Sequence, residues 1–202
     1  ANIVHLAASP TPTRDWSSDV VDALDKAEYQ KAASIANAEY ARSKDTGALL
    51  EHLNALYRSE RWFDFERIVN GLSRDEMSSS SMAALQIREL AVKVFMKIRR
   101  LDKAQEFLSI SRKLGDESFE LSMCEASIDA MEARFSQARE KLQKLNKSYP
   151  MTAAVLRRLV LVCEQGRDYD AAAGFLRVAL KVVRDDEKLL RKRQQYENLG
   201  VW

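Results

Sequence analysis

The stretch Gly166-Arg167-Asp168-Tyr169-Asp170-Ala171-Ala172 contains a signature that occurs five times in the chain. An aromatic or large apolar residue is followed, three positions later, by a residue that is small in four of the five copies. The copies are Tyr29/Ala32, Trp62/Phe65, Leu101/Ala104, Phe135/Ala138 and Tyr169/Ala172. Their second members are 33, 39, 34 and 34 residues apart (32 to 65, 65 to 104, 104 to 138, 138 to 172). Because a period near 34 is typical of a two-helix unit, the sequence predicts an array of helix pairs.

The composition favours helices throughout the 202 residues. The chain is 46% hydrophobic and 31% charged, and it has only six Gly and three Pro. Ala, Leu, Glu, Lys and Arg are good helix formers, and clusters of β-branched and aromatic residues with a period of two do not occur. We therefore predict an all-α fold.

We divide the chain into a lead-in, a repeat region and a final helix. Residues 1–13 are predicted to be a flexible lead-in, because Pro10 and Pro12 interrupt any helix there. The repeat region, 14–184, divides into repeats at about 14–45, 46–78, 79–116, 117–150 and 151–184. Residues 185–202 are predicted to form a capping helix and tail. We place the five extra residues of the 39-residue step in the Ser-rich stretch 77–82, as a longer loop or an extra helical turn.

The repeats resemble those of the tetratricopeptide repeat (TPR) superfamily. The match is close in the fifth repeat, where the turn, Tyr169 and Ala172 are followed by Leu176 and Ala179. The resemblance implies tandem antiparallel helix pairs stacked as a right-handed superhelix, an α-solenoid of about five repeats. Small or apolar residues also stand twelve positions before each second signature residue, as close helix contact requires. These residues are Val20, Leu53, Val92, Ala126 and Val160.

Two repeats depart from the TPR pattern. Phe65 replaces the small residue in the second repeat, so we expect that helix pair to be splayed or tilted. In the fourth repeat Glu125 and Asp129 occupy positions where TPR proteins prefer apolar residues. An apolar stripe through Leu121, Cys124, Ile128 and Met131 predicts a one-residue shift of that first helix.

The sequence contains no recognisable catalytic or metal-binding motif. It has two histidines, His5 and His52, and no Cys-x-x-Cys, His-Glu-x-x-His or Gly-rich phosphate loop. We predict a protein that is not an enzyme and has no cofactor. Cys124 and Cys163 fall at apolar helix positions and are predicted to lie in the core. Two cysteines do not make a disulfide framework, so a reducing, cytoplasmic location is expected.

Charge and hydropathy exclude other classes of protein. No run of 18 apolar residues occurs, so we predict no membrane insertion. The net charge of +2 argues against a nucleic-acid binder, which usually carries a larger and clustered basic excess. The chain begins with Ala1, which suggests either processing or excision from a longer protein.

The resemblance to TPR proteins also implies a binding groove. In such arrays the first helix of each pair lines a concave surface that holds an extended or helical segment of another protein. Transferring the groove positions to this chain gives Asn54, Tyr57, Arg58, Gln86, Glu89, Lys93, Lys97, Arg157 and Glu164. The Lys/Asn clamp of some TPR proteins is not reproduced, because Leu50 stands at its first position. Lys93, Lys97 and Arg157 are suited to an acidic segment, or are solvated helix charges.

The leading hypothesis is a non-catalytic scaffold or adaptor that binds a partner protein in this groove. One alternative is an interaction module excised from a larger enzyme or assembly factor. Another is a helical-repeat RNA-binding protein, against which the 34-residue steps and the near-neutral charge both argue. The C-terminal helix, with Val201 and Trp202, is also a candidate surface for a homodimer.

Overall fold

The computed structural model describes residues 15–202, which form twelve helices and no strand. The helices are α1 (Trp16–Asp25), α2 (Tyr29–Ser43), α3 (Thr46–Arg58), α4 (Trp62–Asn70), α5 (Arg74–Met77), α6 (Met82–Lys97), α7 (Leu101–Lys113), α8 (Phe119–Met131), α9 (Phe135–Ser148), α10 (Ala153–Gln165), α11 (Tyr169–Val182) and α12 (Glu187–Leu199). The predicted all-α fold is confirmed. The predicted lead-in, 1–13, lies outside the described residues. No helix within the described part is long and apolar enough to span a membrane.

Each copy of the signature opens the second helix of a pair. Tyr29, Trp62, Leu101, Phe135 and Tyr169 are the first residues of α2, α4, α7, α9 and α11. The second member of each signature is fully buried, and so is the residue twelve positions before it in the first helix. The positions at which the spacing predicts close helix contact are therefore buried in all five pairs.

The turn inside each pair has the same backbone geometry. Ala27, Glu60, Arg99, Ala133 and Arg167 have φ between 57° and 62° and lie 33, 39, 34 and 34 residues apart (27 to 60, 60 to 99, 99 to 133, 133 to 167). The next amide donates to the carbonyl five residues back at 2.8 or 2.9 Å, as in Asp168 to Cys163. This is a helix end closed by a left-handed residue. The structural repeat thus has the period of the sequence repeat.

The described part of the chain divides into two compact units between Leu90 and Ala91, and the division falls within α6. In the first unit α2 packs against both α1 and α3, around a core that includes Val20, Ala32 and Ala36. Helix α4 packs far less extensively on α3. This looser packing agrees with the expectation from Phe65, whose ring fills the place of a small side chain.

In the second unit the helices from α8 to α11 pack in succession, and α12 packs on α11. The packing of consecutive pairs is that of a helical-repeat solenoid. Its core includes Leu142, Leu159 and Leu176, and α12 adds Leu189 and Tyr196.

One sequence expectation is corrected in the second unit. Ala126 is fully buried, in line with its counterparts in the other repeats, so the expected shift of α8 does not occur. Leu121, Cys124 and Ile128 are buried too, because α8 is covered by α7, α9 and α10. A Cβ at Gly174 of α11 would meet no atom within 4 Å, so close helix packing does not require a glycine there.

The extra residues between the second and third repeats form α5 and a serine turn. Ser73 caps α5 and forms a capping box with Glu76. The guanidinium of Arg88, a fully buried side chain of α6, donates to the carbonyls of Met77 at 2.9 Å and Ser79 at 2.7 Å. The sequence predicts the position of this insertion, but no sequence pattern indicates that Arg88 holds it in place.

Candidate partner-binding surface

The predicted groove residues of the first unit lie on α3 and α6. Asn54 and Tyr57 are half-buried, whereas Arg58 and Gln86 are exposed. The Tyr57 ring makes an edge contact with Trp62, with 5.6 Å between ring centroids. The Arg58 guanidinium lies 5.4 Å from the centroid of the Tyr29 ring, a cation–π distance. These contacts fix Tyr57 and Arg58 at the end of α3.

Three further residues of α6 belong to the predicted set. Glu89 is half-buried in the first unit. In the second unit Lys93 pairs with Glu120 of α8 at 2.7 Å, and Lys97 is exposed at the end of α6. The pair formed by Lys93 joins the first helices of two successive repeats, so Lys93 is part of the array's own packing.

The last two predicted residues contact α12. Arg157 of α10 pairs with Asp186, which also caps α12. Glu164 accepts hydrogen bonds from Lys192, at 2.7 and 2.6 Å, and from the hydroxyl of Tyr196. Burial, together with the bond to Glu164, raises the pKa of Tyr196 well above its usual value. Arg157 and Glu164 therefore hold the last helix in place, a role that the sequence did not indicate.

A cluster of charged residues that the sequence only partly predicted joins α7, α8 and α9. Glu125 pairs with Arg112 and with Lys141, both at 2.8 Å. Asp129, which is only 4% exposed, lies 2.6 Å from Lys141 and 2.6 Å from Arg134. The acidic residues were visible as departures from the TPR pattern. Their basic partners lie 5 to 16 residues away along the chain, at positions that the repeat pattern does not specify.

Burial would raise the pKa of both carboxyl groups, but their partners outweigh it. The ammonium group of Lys141 and hydrogen bonds from Arg134 hold the pKa of Asp129 below its usual value. Lys141 and Arg112 do the same for Glu125. Both groups are therefore ionised at neutral pH. They neutralise the neighbouring cations, so the cluster stabilises the repeat.

Nothing in the described part of the chain has the geometry of a metal centre. No group of three or more His, Cys, Asp or Glu side chains in residues 15–202 could hold a metal ion. Cys124 and Cys163 are buried, as predicted, and neither is part of a disulfide. Burial, the largest influence, raises the pKa of Cys163 and keeps its thiol protonated.

The packing of consecutive helix pairs defines a helical-repeat scaffold of the TPR-like class. Within that class, the model of the coatomer epsilon subunit family matches residues 70–193, more than half of the chain. The chain belongs to the coatomer epsilon subunit family. Searches of curated proteins and of solved structures gave no significant match. The coatomer epsilon subunit is a structural coat component and not an enzyme.

Proposed function

We propose that this chain is a scaffold subunit of a vesicle coat and binds another coat protein through the first helices of its repeats. The observation that carries the proposal is the family match over residues 70–193, which include α6 to α11. A coat subunit works in an assembly with other proteins, and an array of helix pairs offers a long surface to a partner segment.

The exposure of the polar residues indicates where contact with the partner is expected. Asn54, Gln86 and Lys97 lie at predicted groove positions on α3 and α6 and are at least partly accessible. Arg157 and Glu164 are engaged by α12, so a partner would have to compete with that helix for them. We therefore propose that the partner contacts these first helices, α3 and α6. An acidic partner segment and a homodimer through α12 stay predictions.

The cellular location of this chain follows from the same proposal. Coatomer functions on the cytoplasmic face of Golgi and endoplasmic reticulum vesicles. We propose that this chain works there too, in a reducing compartment. Two buried cysteines that form no disulfide are compatible with such a compartment.

Co-purification from cells tests the proposal with two matched triple variants. The first carries Asn54→Ala, Gln86→Ala and Lys97→Ala on first helices. The control carries Gln30→Ala, Ser109→Ala and Gln137→Ala, three exposed positions on second helices. Tagged forms of the wild type and both variants are purified, and the recovered coat proteins are quantified by mass spectrometry.

We expect the first variant to recover at least about tenfold less of a coat partner, since losing a few central contacts costs more than 1.4 kcal/mol. The control should recover as much partner as the wild type, and circular dichroism should show equal helicity in all three proteins. Equal recovery by both variants would contradict the placement of the surface. Absence of any coat protein from the wild-type sample would contradict the function itself.

A further inference from the structure

The insertion between α4 and α6 is rich in accessible hydroxyl groups. Five of the nine residues from 73 to 81 are serine, and four of these, Ser73, Ser78, Ser80 and Ser81, are exposed. The segment interrupts the 34-residue period, and it contains only the four-residue helix α5. It is thus a short exposed connection, which a modifying enzyme can reach more readily than the packed helices.

Glu76 attaches this insertion to α2. Its carboxylate accepts a hydrogen bond from the Ser73 amide at 2.8 Å and another from the hydroxyl of Tyr40. In return, the Ser73 hydroxyl accepts from the Glu76 amide at 3.2 Å. The bond from Tyr40 contributes most to lowering the pKa of Glu76, so this carboxylate is charged at neutral pH. Lys44, which lies 5.0 Å from the Tyr40 ring, adds to that effect.

A second attachment holds the other end of the insertion. Arg88 donates to the carbonyls of Met77 and Ser79, as described above. The segment is therefore fixed to α2 through a side-chain carboxylate and to α6 through backbone carbonyls. Only the first of these attachments depends on a carboxylate next to a serine hydroxyl.

We propose that Ser73 is a phosphorylation site for an acidophilic serine kinase, and that its phosphorylation detaches α5 from α2. Kinases of this class recognise carboxylates on the C-terminal side of the acceptor serine. Here Asp75 and Glu76 stand two and three residues after Ser73. The Ser73 hydroxyl oxygen bonds to the γ-phosphorus of ATP, the bond to the β,γ-bridging oxygen breaks, and ADP leaves. The hydroxyl proton passes to the kinase's catalytic aspartate.

The phosphate acts on the attachment through charge. It carries between about −1.5 and −2 at neutral pH and places its oxygens beside the carboxylate of Glu76. The two anions compete for the Ser73 and Glu76 amides and for Lys44, and the dianion is the stronger competitor. Glu76 is displaced, and the Tyr40 hydroxyl loses its acceptor. The insertion then remains attached through Arg88.

The test treats the whole folded chain with ATP and an acidophilic serine kinase of the casein kinase type. Phosphorylated residues are located by peptide mass spectrometry. The same reaction is run on Ser73→Ala, on Ser80→Ala as a control in the same segment, and on Glu76→Gln, which removes one recognised carboxylate. A synthetic peptide of residues 70–84 reports whether the kinase accepts the sequence without the fold. Hydrogen exchange is then measured on the phosphorylated and unmodified chains.

We expect phosphate on Ser73 in the wild type and in Ser80→Ala, none at this position in Ser73→Ala, and slower modification of Glu76→Gln. Exchange in residues 73–78 and at the end of α2 should become about fivefold to tenfold faster, the factor for losing one or two hydrogen bonds. Residues 153–182 should not change. A peptide that is modified while the folded chain is not, a chain and peptide that both stay unmodified, or a phosphate on Ser73 without faster exchange would each overturn the proposal.

Discussion

The ammonium group of Lys141 lies 2.6 Å from the buried carboxylate of Asp129. This ion pair joins α8 to α9 at a place where the TPR pattern has an apolar contact. Arg134 contacts the other oxygen of the same carboxylate. Lys141 also forms an ion pair with Glu125. The fourth repeat is thus held by a charge network as well as by its apolar core.

Replacing Asp129 by Asn should therefore destabilise the chain. The neutral amide leaves Lys141 and Arg134 without their counter-ion, but both cations are about two-fifths exposed and regain water. That exposure reduces the cost to about 2 kcal/mol, below the usual cost of breaking a fully buried pair. Urea unfolding followed by circular dichroism measures it. Arg191→Ala, which breaks a pair that is mostly exposed, should change the free energy of unfolding by no more than about 0.5 kcal/mol.

The same carboxyl groups predict a loss of stability in acid. The pKa values of Asp129 and Glu125 are lower in the folded chain than in the unfolded one, so the unfolded state binds more protons. Their contribution is full above about pH 5 and declines as the pH falls through about 4. The difference in unfolding free energy between the wild type and Asp129→Asn should be constant from pH 7 to 5 and smaller at pH 3.5. A difference that grows at pH 3.5 would show that the sign is wrong.

Gly174→Ala should stabilise the chain. Gly174 lies inside α11, where a Cβ would meet no atom, and alanine restricts the unfolded chain more than glycine does. The expected gain is about 1 kcal/mol. Gly166→Ala is the control, because its Cβ would lie 3.3 Å from Cβ of Phe135. Thermal unfolding should show a higher midpoint for the first variant, and a lower or unchanged midpoint for the second. A lower midpoint for Gly174→Ala would mean that α11 packs more tightly there.

The left-handed turns give a complementary prediction in the first repeat. Ala27 has a φ of 57°, a conformation that costs an L-residue about 1 kcal/mol and costs glycine nothing. Ala27→Gly should therefore raise the free energy of unfolding by about 0.5 kcal/mol. Ala38→Gly, at an exposed site within α2, should lower it by about 1 kcal/mol. The opposite signs of two identical substitutions are the diagnostic result, and urea unfolding measures both.

The repeat signature predicted most of the fold. The spacing located the turns and the buried residues of all five pairs, because close helix contact leaves few choices at those positions. The charge network and the Arg88 contacts were not predictable, because pairing depends on side-chain directions that no sequence period encodes.

The candidate surface was less predictable for a related reason. Groove positions can be transferred from the TPR pattern, but a sequence does not show which of their charges the array itself uses. The TPR pattern predicts that Lys93, Arg157 and Glu164 face the groove. In the structure, each forms an ion pair with a charged residue on or next to another helix.

Site-specific photo-crosslinking tests the central claim most directly. A benzophenone amino acid is placed at Gln86, on the first helix α6, and in a separate protein at Gln30, on the second helix α2. After irradiation in cells, the crosslinked proteins are identified by mass spectrometry. We predict that a coat subunit is crosslinked from position 86 and not from position 30. The same coat subunit crosslinked from position 30 alone would contradict a partner-binding surface on the first helices.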